Sequence, residues 1–268
     1  MRIRGWSDST IVMLLTIDIG NTNITLGVFI SEEMKNSWRL STDSHRLADE
    51  YSMQVNHLLE MDGLNLEDIN KVAICSVVPP LTSVFDDLSA KLFKVPPLIV
   101  GAGIKTGVRV HYDSPHDVGP DRIVDAAAAY HYYGSPAIIV DFGTATVFDA
   151  ISNDGSYLGG AIAPGLSISA DALYQNTAML RRVEMHAPEK AIGTNTVHSL
   201  QSGLVLGYVG LVESMVSRFK SEMRQENAIV IATGGLAKTI ASETSMFDVI
   251  DENLTLRGLA YIYALNNQ

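Results

Sequence analysis

The sequence predicts an α/β protein made of two similar halves. Three observations carry that reading. A turn of the form apolar strand, Asp, apolar residue, Gly, then small hydroxyl or amide residues occurs twice, at Asp18-Ile19-Gly20-Asn21-Thr22 and at Asp141-Phe142-Gly143-Thr144. Each copy is followed directly by a second apolar strand, and after each copy strands give way to alternating helices and strands. With 47% hydrophobic residues in 268 and a mean hydropathy of +0.15, the chain can also bury a substantial core.

The elements follow in order. Residues 1 to 12 carry no clear pattern and read as an N-terminal extension ahead of Met13. Met13–Ile19, Ile24–Ile30 and Asn36–Leu40 read as a consecutive meander of strands. Asp43 and Ser44 are residue types suited to capping the next helix, whose Leu47, Tyr51, Val55, Leu58 and Leu59 recur at helical spacing. Met61-Asp62-Gly63 ends it. Val72–Val77 is a buried strand, Pro79-Pro80 opens a helix carrying Val84, Leu88 and Leu92, and Leu98-Ile99-Val100 is a short strand.

A loop from Gly101 to Gly119 marks the expected boundary, giving halves at 13–118 and 119–268. Its Gly101-Ala102-Gly103-Ile104-Lys105-Thr106 lacks the glycine that a phosphate-binding P-loop places before its lysine, and it does not fit G-x-G-x-x-G. Pro120 opens an Ala-rich helix to about Tyr130, and strand Ala137–Asp141 leads into the second turn. Strands resume near Val147 and Tyr157, Ala163-Pro164-Gly165 ends that meander, and a helix runs from Leu166 to about Tyr174. Val197–Met223 reads as one long helix with an apolar stripe of Leu200, Leu204, Leu211, Met215 and Phe219. Gly203, Gly207 and Gly210 would permit close helix packing on it. Strand Ile229–Ala232 ends at Thr233-Gly234-Gly235 before helix Leu236–Ala241. That turn either supports a nucleotide or makes a tight connection.

Composition excludes several functions. A net charge of -11 argues against nucleic acid, whose binding rests on Lys and Arg neutralising phosphates, and against an anionic membrane surface. The one cysteine, Cys75, excludes an internal disulfide or a multi-cysteine metal site and reads as a buried structural thiol. No stretch reads as a signal peptide or as the roughly 20 apolar residues of a spanning helix, so a cytoplasmic protein is expected. None of the seven histidines falls at a metal-ligand spacing.

Glycine at each duplicated turn lets main-chain N–H groups approach an anion, while Thr22, Thr144 and Thr146 add hydroxyl donors without bulk. An aspartate there repels phosphate unless a cation bridges the two. One such hairpin is usually structural; two, half a chain apart, suggest halves that face one nucleotide.

These strings, with DIGNTNITLGVF at 18–29, GPDR at 119–122, DFGTATVFD at 141–149, GGAIAPG at 159–165 and ATGGLA at 232–237, resemble the type III pantothenate kinase family. That family lies in the acetate and sugar kinase, heat-shock chaperone and actin superfamily. The likeness runs from about Met13 to the C-terminus in the same order. It implies duplicated actin-like, ribonuclease H-like domains, each a mixed sheet flanked by helices, with an interdomain ATP cleft. It implies ATP-dependent phosphorylation of pantothenate to 4'-phosphopantothenate, a homodimer, Mg2+, and a monovalent cation, K+ or NH4+.

Carried over by position, Asp18, Ile19, Gly20, Asn21, Thr22, Asn23, Ile24 and Thr25 match the first ATP-phosphate motif. Thr144 matches the second, and Gly234 and Gly235 match the adenosine turn. Asp141 matches the monovalent-cation ligand, Asp18 would orient Mg2+ through water, and Asp121 matches the catalytic base. Tyr112, Gly119, Pro120, Asp121, Arg122 and Thr196 match pantothenate contacts. Read locally, Asp121 is also an ordinary helix N-cap, Arg122 could pair with Asp125, Thr196 could cap the long helix, and Tyr112 could be a core tyrosine. Two other functions fit the superfamily: a non-catalytic actin-like nucleotide-binding regulator, and a kinase for a sugar or small acid.

Overall fold

The computed structural model describes residues 13–267, so the expected extension at 1–12 lies outside the described residues. Two compact units emerge. One contains the chain up to Gly107, Ser114–Ala128 and the segment from Thr255; the other contains Val108–Asp113 and Ala129–Leu254. The chain therefore changes unit inside the Ala-rich helix and returns at the C-terminal helix. The sequence reading placed one boundary at 118/119, because composition marks a loop and cannot mark a helix shared by two cores.

In the first unit, β1 (Met13–Ile19), β2 (Asn23–Ile30), β3 (Glu33–Ser41), β4 (Ile69–Ser76) and β5 (Leu98–Ile99) form a sheet of order β3-β2-β1-β4-β5. The first three are antiparallel neighbours, while β4 joins β1, and β5 joins β4, in parallel. As the central strand, β1 is buried along its length except at half-buried Asp18. The outer strand β3 instead alternates half-buried with exposed positions and carries Lys35 and Arg39 outward, which discourages edge-to-edge association.

Helix α1 (Ala48–Met61) presses Tyr51, Val55 and Leu59 onto Ile17, Ile19 and Leu26, and α2 (Pro79–Leu88) adds Leu81, Phe85 and Leu88. Burying each such side chain stabilises the fold by roughly 1.5–3 kcal/mol. Neither Asp43 nor Ser44 caps α1. Its first residue follows Leu47, whose N–H donates to Glu50 Oε2 at 2.8 Å, while Asp43 turns back on itself by accepting from His45 N at 3.0 Å. The asparagine-like local turn outcompeted the cap. The C-terminal helix, Leu254–Asn266, which sequence patterning did not resolve, seats Leu256 against Gly27 and Gly258 against the Val124 carbonyl.

The second unit repeats the plan: β6 (Ala137–Phe142), β7 (Ala145–Ile151), β8 (Tyr157–Pro164), β9 (Ile229–Thr233) and β10 (Val249–Ile250) run in the order β10-β9-β6-β7-β8. Read from the other edge, this is the first sheet's order with β6 in place of β1, and β6 again takes one antiparallel and one parallel neighbour. The fold is thus a duplicated, actin-like pair of mixed sheets flanked by helices.

The Ala-rich helix α3 (Pro120–Tyr133) leads into β6, and helix α4 (Leu166–Gln175) precedes the long helix Thr196–Met223, which carries an internal widened turn at Ser202–Leu206. This long helix is apolar and long enough to cross a membrane by length and composition, against expectation. Its Leu204, Val205, Tyr208, Val209, Val212 and Val216 are spent on the second core, packing against Ile138, Val140, Phe142 and Phe148. Gly203, Gly207 and Gly210 meet no atom within 4 Å of an added methyl, so they are not packing notches among the described residues.

Candidate functional site

In the first unit, the turn after β1 is closed by Gly20 N donating to Asn23 O at 3.0 Å. An added methyl on Gly20 would sit 3.0 Å from that same oxygen, which is why glycine stands there. Asn21, Thr22 and Asn23 are exposed, and Asp18 lies beside Thr25 across the hairpin. Ile19 and Ile24 are fully buried, so only their main chain is available to a ligand. Thr42, which sequence reading missed, ties the turn down: its hydroxyl donates to Gly20 O at 2.7 Å and its N–H to Thr22 O at 3.0 Å. Nothing in the local pattern of a threonine at a strand end marks that role.

Asp121 is the second residue of α3, and its Oδ1 accepts from Arg122 N at 2.9 Å. Burial pushes its carboxyl above the usual carboxylate range, against the opposing pull of the Arg122 N–H and guanidinium. An added methyl on Gly119 would run into Asp121 Oδ1, so the Gly119-Pro120 approach to the helix is shaped around this carboxylate. Asp125, one turn on, is buried. The Cys75 thiol, fully buried on β4, is pushed well above its usual range by burial and then by the negative charges of Asp18, Asp121 and Asp125. Cys75 is therefore a protonated structural thiol. Asp18 pairs in register with Cys75 across β1 and β4, and the charge of Asp121 at the start of the helix acts on the same thiol.

In the second unit, Gly143 N donates to Ala145 O at 3.0 Å, matching the first turn, and Thr144 is exposed. Thr146 is buried, so it does not present its hydroxyl as expected. The turn is backed by Gly165, whose N–H donates to Thr144 O at 3.1 Å and whose α-carbon leaves no room for a side chain. Asp141 is half-buried and pairs in register with Thr233 at the end of β9. Gly234 has φ +87° and packs on Asp141, so that an added methyl would meet Asp141 Oδ1 and the Phe142 backbone. The Gly-Gly turn and the second acidic turn are one construction, linked by β6 and β9.

Tyr112 is 40% exposed, which answers the core alternative; its ring lies 6.4 Å from that of Tyr157. Thr196 does not cap the long helix: Asn195 does, accepting from His198 N at 2.9 Å, and Thr196 is left exposed. A cavity of about 240 Å³ opens elsewhere in this unit, among Ser167, Asp171, Arg181, Arg182, Met185 and Leu204; it takes Leu200 and Leu204 from the long helix's apolar stripe and none of the expected ATP, pantothenate or cation residues.

Metal binding is constrained by the donors. Among the described residues, no group of three or more His, Cys, Asp or Glu could hold an ion by itself. A single carboxylate on each glycine turn, Asp18 and Asp141, with oxygen donors only, fits Mg2+ that keeps its waters and bridges to substrate phosphates, and fits a weakly held monovalent cation.

Comparison with known proteins points the same way. A family model described as type III pantothenate kinase matches residues 14–218. Among solved structures, a protein from Campylobacter jejuni described as a conserved Baf family transcriptional activator is similar with a TM-score of 0.61 at 20% identity, covering 94% of this chain and 98% of that one. The ethanolamine utilization protein EutJ from Carboxydothermus hydrogenoformans is similar with a TM-score of 0.51 at 13% identity, covering 97% and 92%. At these identities the two structures speak for the fold.

Proposed function

The chain belongs to the type III pantothenate kinase family, and from that membership we propose that it phosphorylates pantothenate with ATP to give 4'-phosphopantothenate. This would be the first step of coenzyme A synthesis. The observation that supports the proposal is the pairing of Asp18 with Cys75 across β1 and β4, with half-buried Asp121, its pKa raised, close enough for its charge to act on the same thiol.

Phosphoryl transfer needs positioning and charge neutralisation more than covalent chemistry. In this reading the main-chain N–H groups of residues 19–25 and the hydroxyls of Thr22 and Thr144 hold ATP phosphate oxygens. The main chain of the Gly234-Gly235 turn would lie against the adenosine. Asp121 accepts a hydrogen bond from the acceptor alcohol and aligns its oxygen on the γ-phosphorus. As the new O–P bond forms and the bond to the ADP oxygen breaks, the alcohol proton passes to Asp121, whose raised pKa suits a transient proton acceptor. Arg122 offers a planar fork of donors to the pantothenate carboxylate, and Tyr112, Gly119, Pro120 and Thr196 complete its contacts. Asp18 would orient Mg2+ through water and Asp141 would hold K+ or NH4+; both ions supply positive charge beside the phosphates.

A homodimer and a cytoplasmic location complete the proposal. Exposed Ile162, Ile168, Leu173, Tyr174, Met179 and Ile192 on the second unit support an apolar subunit contact.

The test is a coupled ADP-release assay with Mg2+ and K+, comparing pantothenate with glucose, glycerol and acetate. Release that depends on pantothenate alone supports the reading. Faster release with a sugar or acetate would assign another acceptor, and no release with any would favour a nucleotide-binding regulator.

A further inference from the structure

Residues 108–113 belong to the second unit although the loop on either side of them belongs to the first. Two main-chain bonds hold them there: His111 N donates to Tyr157 O at 2.8 Å, and Tyr157 N donates to Arg109 O at 2.7 Å. Val110 thereby forms a parallel bridge with Tyr157 at the start of β8, and the next residues deliver Tyr112 onto the strand.

The surface that receives the Tyr112 ring is built from three residues. Tyr157 is fully buried, and its ring tilts 41° against that of Tyr112. Its hydroxyl donates to Asp149 Oδ1 at 2.9 Å, and Asp149 on β7 is itself 2% exposed. A buried carboxylate needs its donors, so this bond fixes the tyrosine ring firmly. Gly159, two residues along β8, has φ +112°, and a methyl there would lie 3.2 Å and 3.3 Å from carbons of the Tyr112 ring. The glycine therefore makes both the backbone turn and the space that the ring edge occupies.

We propose that Asp149, Tyr157 and Gly159 are positioning residues for the acceptor: they set the angle of Tyr112, which forms a wall against the uncharged amide and methyl-bearing part of pantothenate. The inference rests on the pantothenate kinase reading and extends it to residues that contact no substrate. Tyr157 and Asp149 act only through Tyr112, so they should affect acceptor binding and leave ATP use alone.

The test measures kcat and both KM values for Tyr157→Phe, for Gly159→Ala and for each combined with Tyr112→Ala. Tyr157→Phe keeps the ring and removes the bond to Asp149. The expected result is a rise in pantothenate KM on the order of tenfold, with kcat and ATP KM nearly unchanged. In the Tyr112→Ala background neither change should raise pantothenate KM further, because the group they position is gone. Unchanged pantothenate KM, an equal rise with and without Tyr112, or parallel loss of kcat and both affinities would overturn the inference while leaving the kinase reading intact. A wild-type enzyme with no pantothenate-dependent ADP release would overturn both.

Discussion

Gly234→Ala is the substitution whose consequences follow most fully from the geometry of the second turn. The residue has φ +87°, a left-handed conformation that costs a residue with a β-carbon about 1–2 kcal/mol. The new methyl would also stand 2.7 Å from both N and C of Phe142, backbone atoms held in β6 between β7 and β9, and would collide with Asp141 Oδ1. Overpacking of this kind costs about 1–3 kcal/mol, so the sum is roughly 2–5 kcal/mol. A fold stabilised by roughly 10 kcal/mol, the middle of the usual range, survives that loss. The backbone of Phe142 cannot yield without disturbing three strands, so the Asp141 carboxylate gives way. If Asp141 holds the monovalent cation, the K+ concentration for half-maximal activity should rise in Gly234→Ala. The pantothenate KM should hold. Denaturant unfolding gives the first quantity and a K+ titration of ADP release gives the second. Gly203→Ala serves as the control: it lies on the long helix with open space around it, and should gain about 0.5–1 kcal/mol with no change in the K+ response. A Gly234→Ala enzyme with wild-type stability and wild-type K+ activation would refute both the packing argument and the placing of the cation at Asp141.

Other expectations follow from the same structure. Asp121→Asn should lower kcat by about a hundredfold to ten-thousandfold while ATP binding, followed by equilibrium titration, stays near wild type. Because burial raises the Asp121 pKa, the acid limb of the wild-type kcat/KM profile should lie at higher pH than an ordinary aspartate gives. The stability sign is also fixed: the native state holds this proton more tightly than the unfolded chain, so its contribution falls as pH rises through the raised pKa. Asp121→Asn should therefore flatten that part of a melting-temperature profile. Asp18→Asn should raise the Mg2+ concentration needed for activity more than it changes pantothenate KM, as a Mg2+ titration would reveal. Asn195→Ala removes the cap of the long helix and should cost about 1 kcal/mol by denaturant unfolding.

Much of the fold is legible in the sequence because the strongest patterns belong to central strands and long helices. β1 is bounded at Met13 and Ile19 as its apolar run suggests, and the long helix spans the expected residues. The duplication is legible from two short strings because each sits at the same place in the sheet order. What escaped was tertiary. The C-terminal helix, Leu254–Asn266, is apolar on most sides, since its residues are claimed by another segment's core, and so it shows little periodicity. The unit boundary lies within α3, where an alanine run gives no mark. For the site, residue types at the two turns pointed to phosphate chemistry, but Thr42, Gly165 and the Asp149–Tyr157 pair act through distant contacts. Thr146 pointed the other way: its hydroxyl looked available, and strand alternation buries it. Capping was the least legible feature, with Leu47 and Asn195 rather than Asp43, Ser44 or Thr196 at the helix starts, because several suitable side chains stood within a turn of each other.

The most direct measurement is phosphorus NMR of pantothenate after incubation with ATP, Mg2+, K+ and either the wild-type or the Asp121→Asn enzyme. One new phosphomonoester, matched by ADP in equal amount and formed by the wild type alone, is the expected result. ADP accumulating with no phosphorylated pantothenate, or an equal yield from Asp121→Asn, would contradict the account.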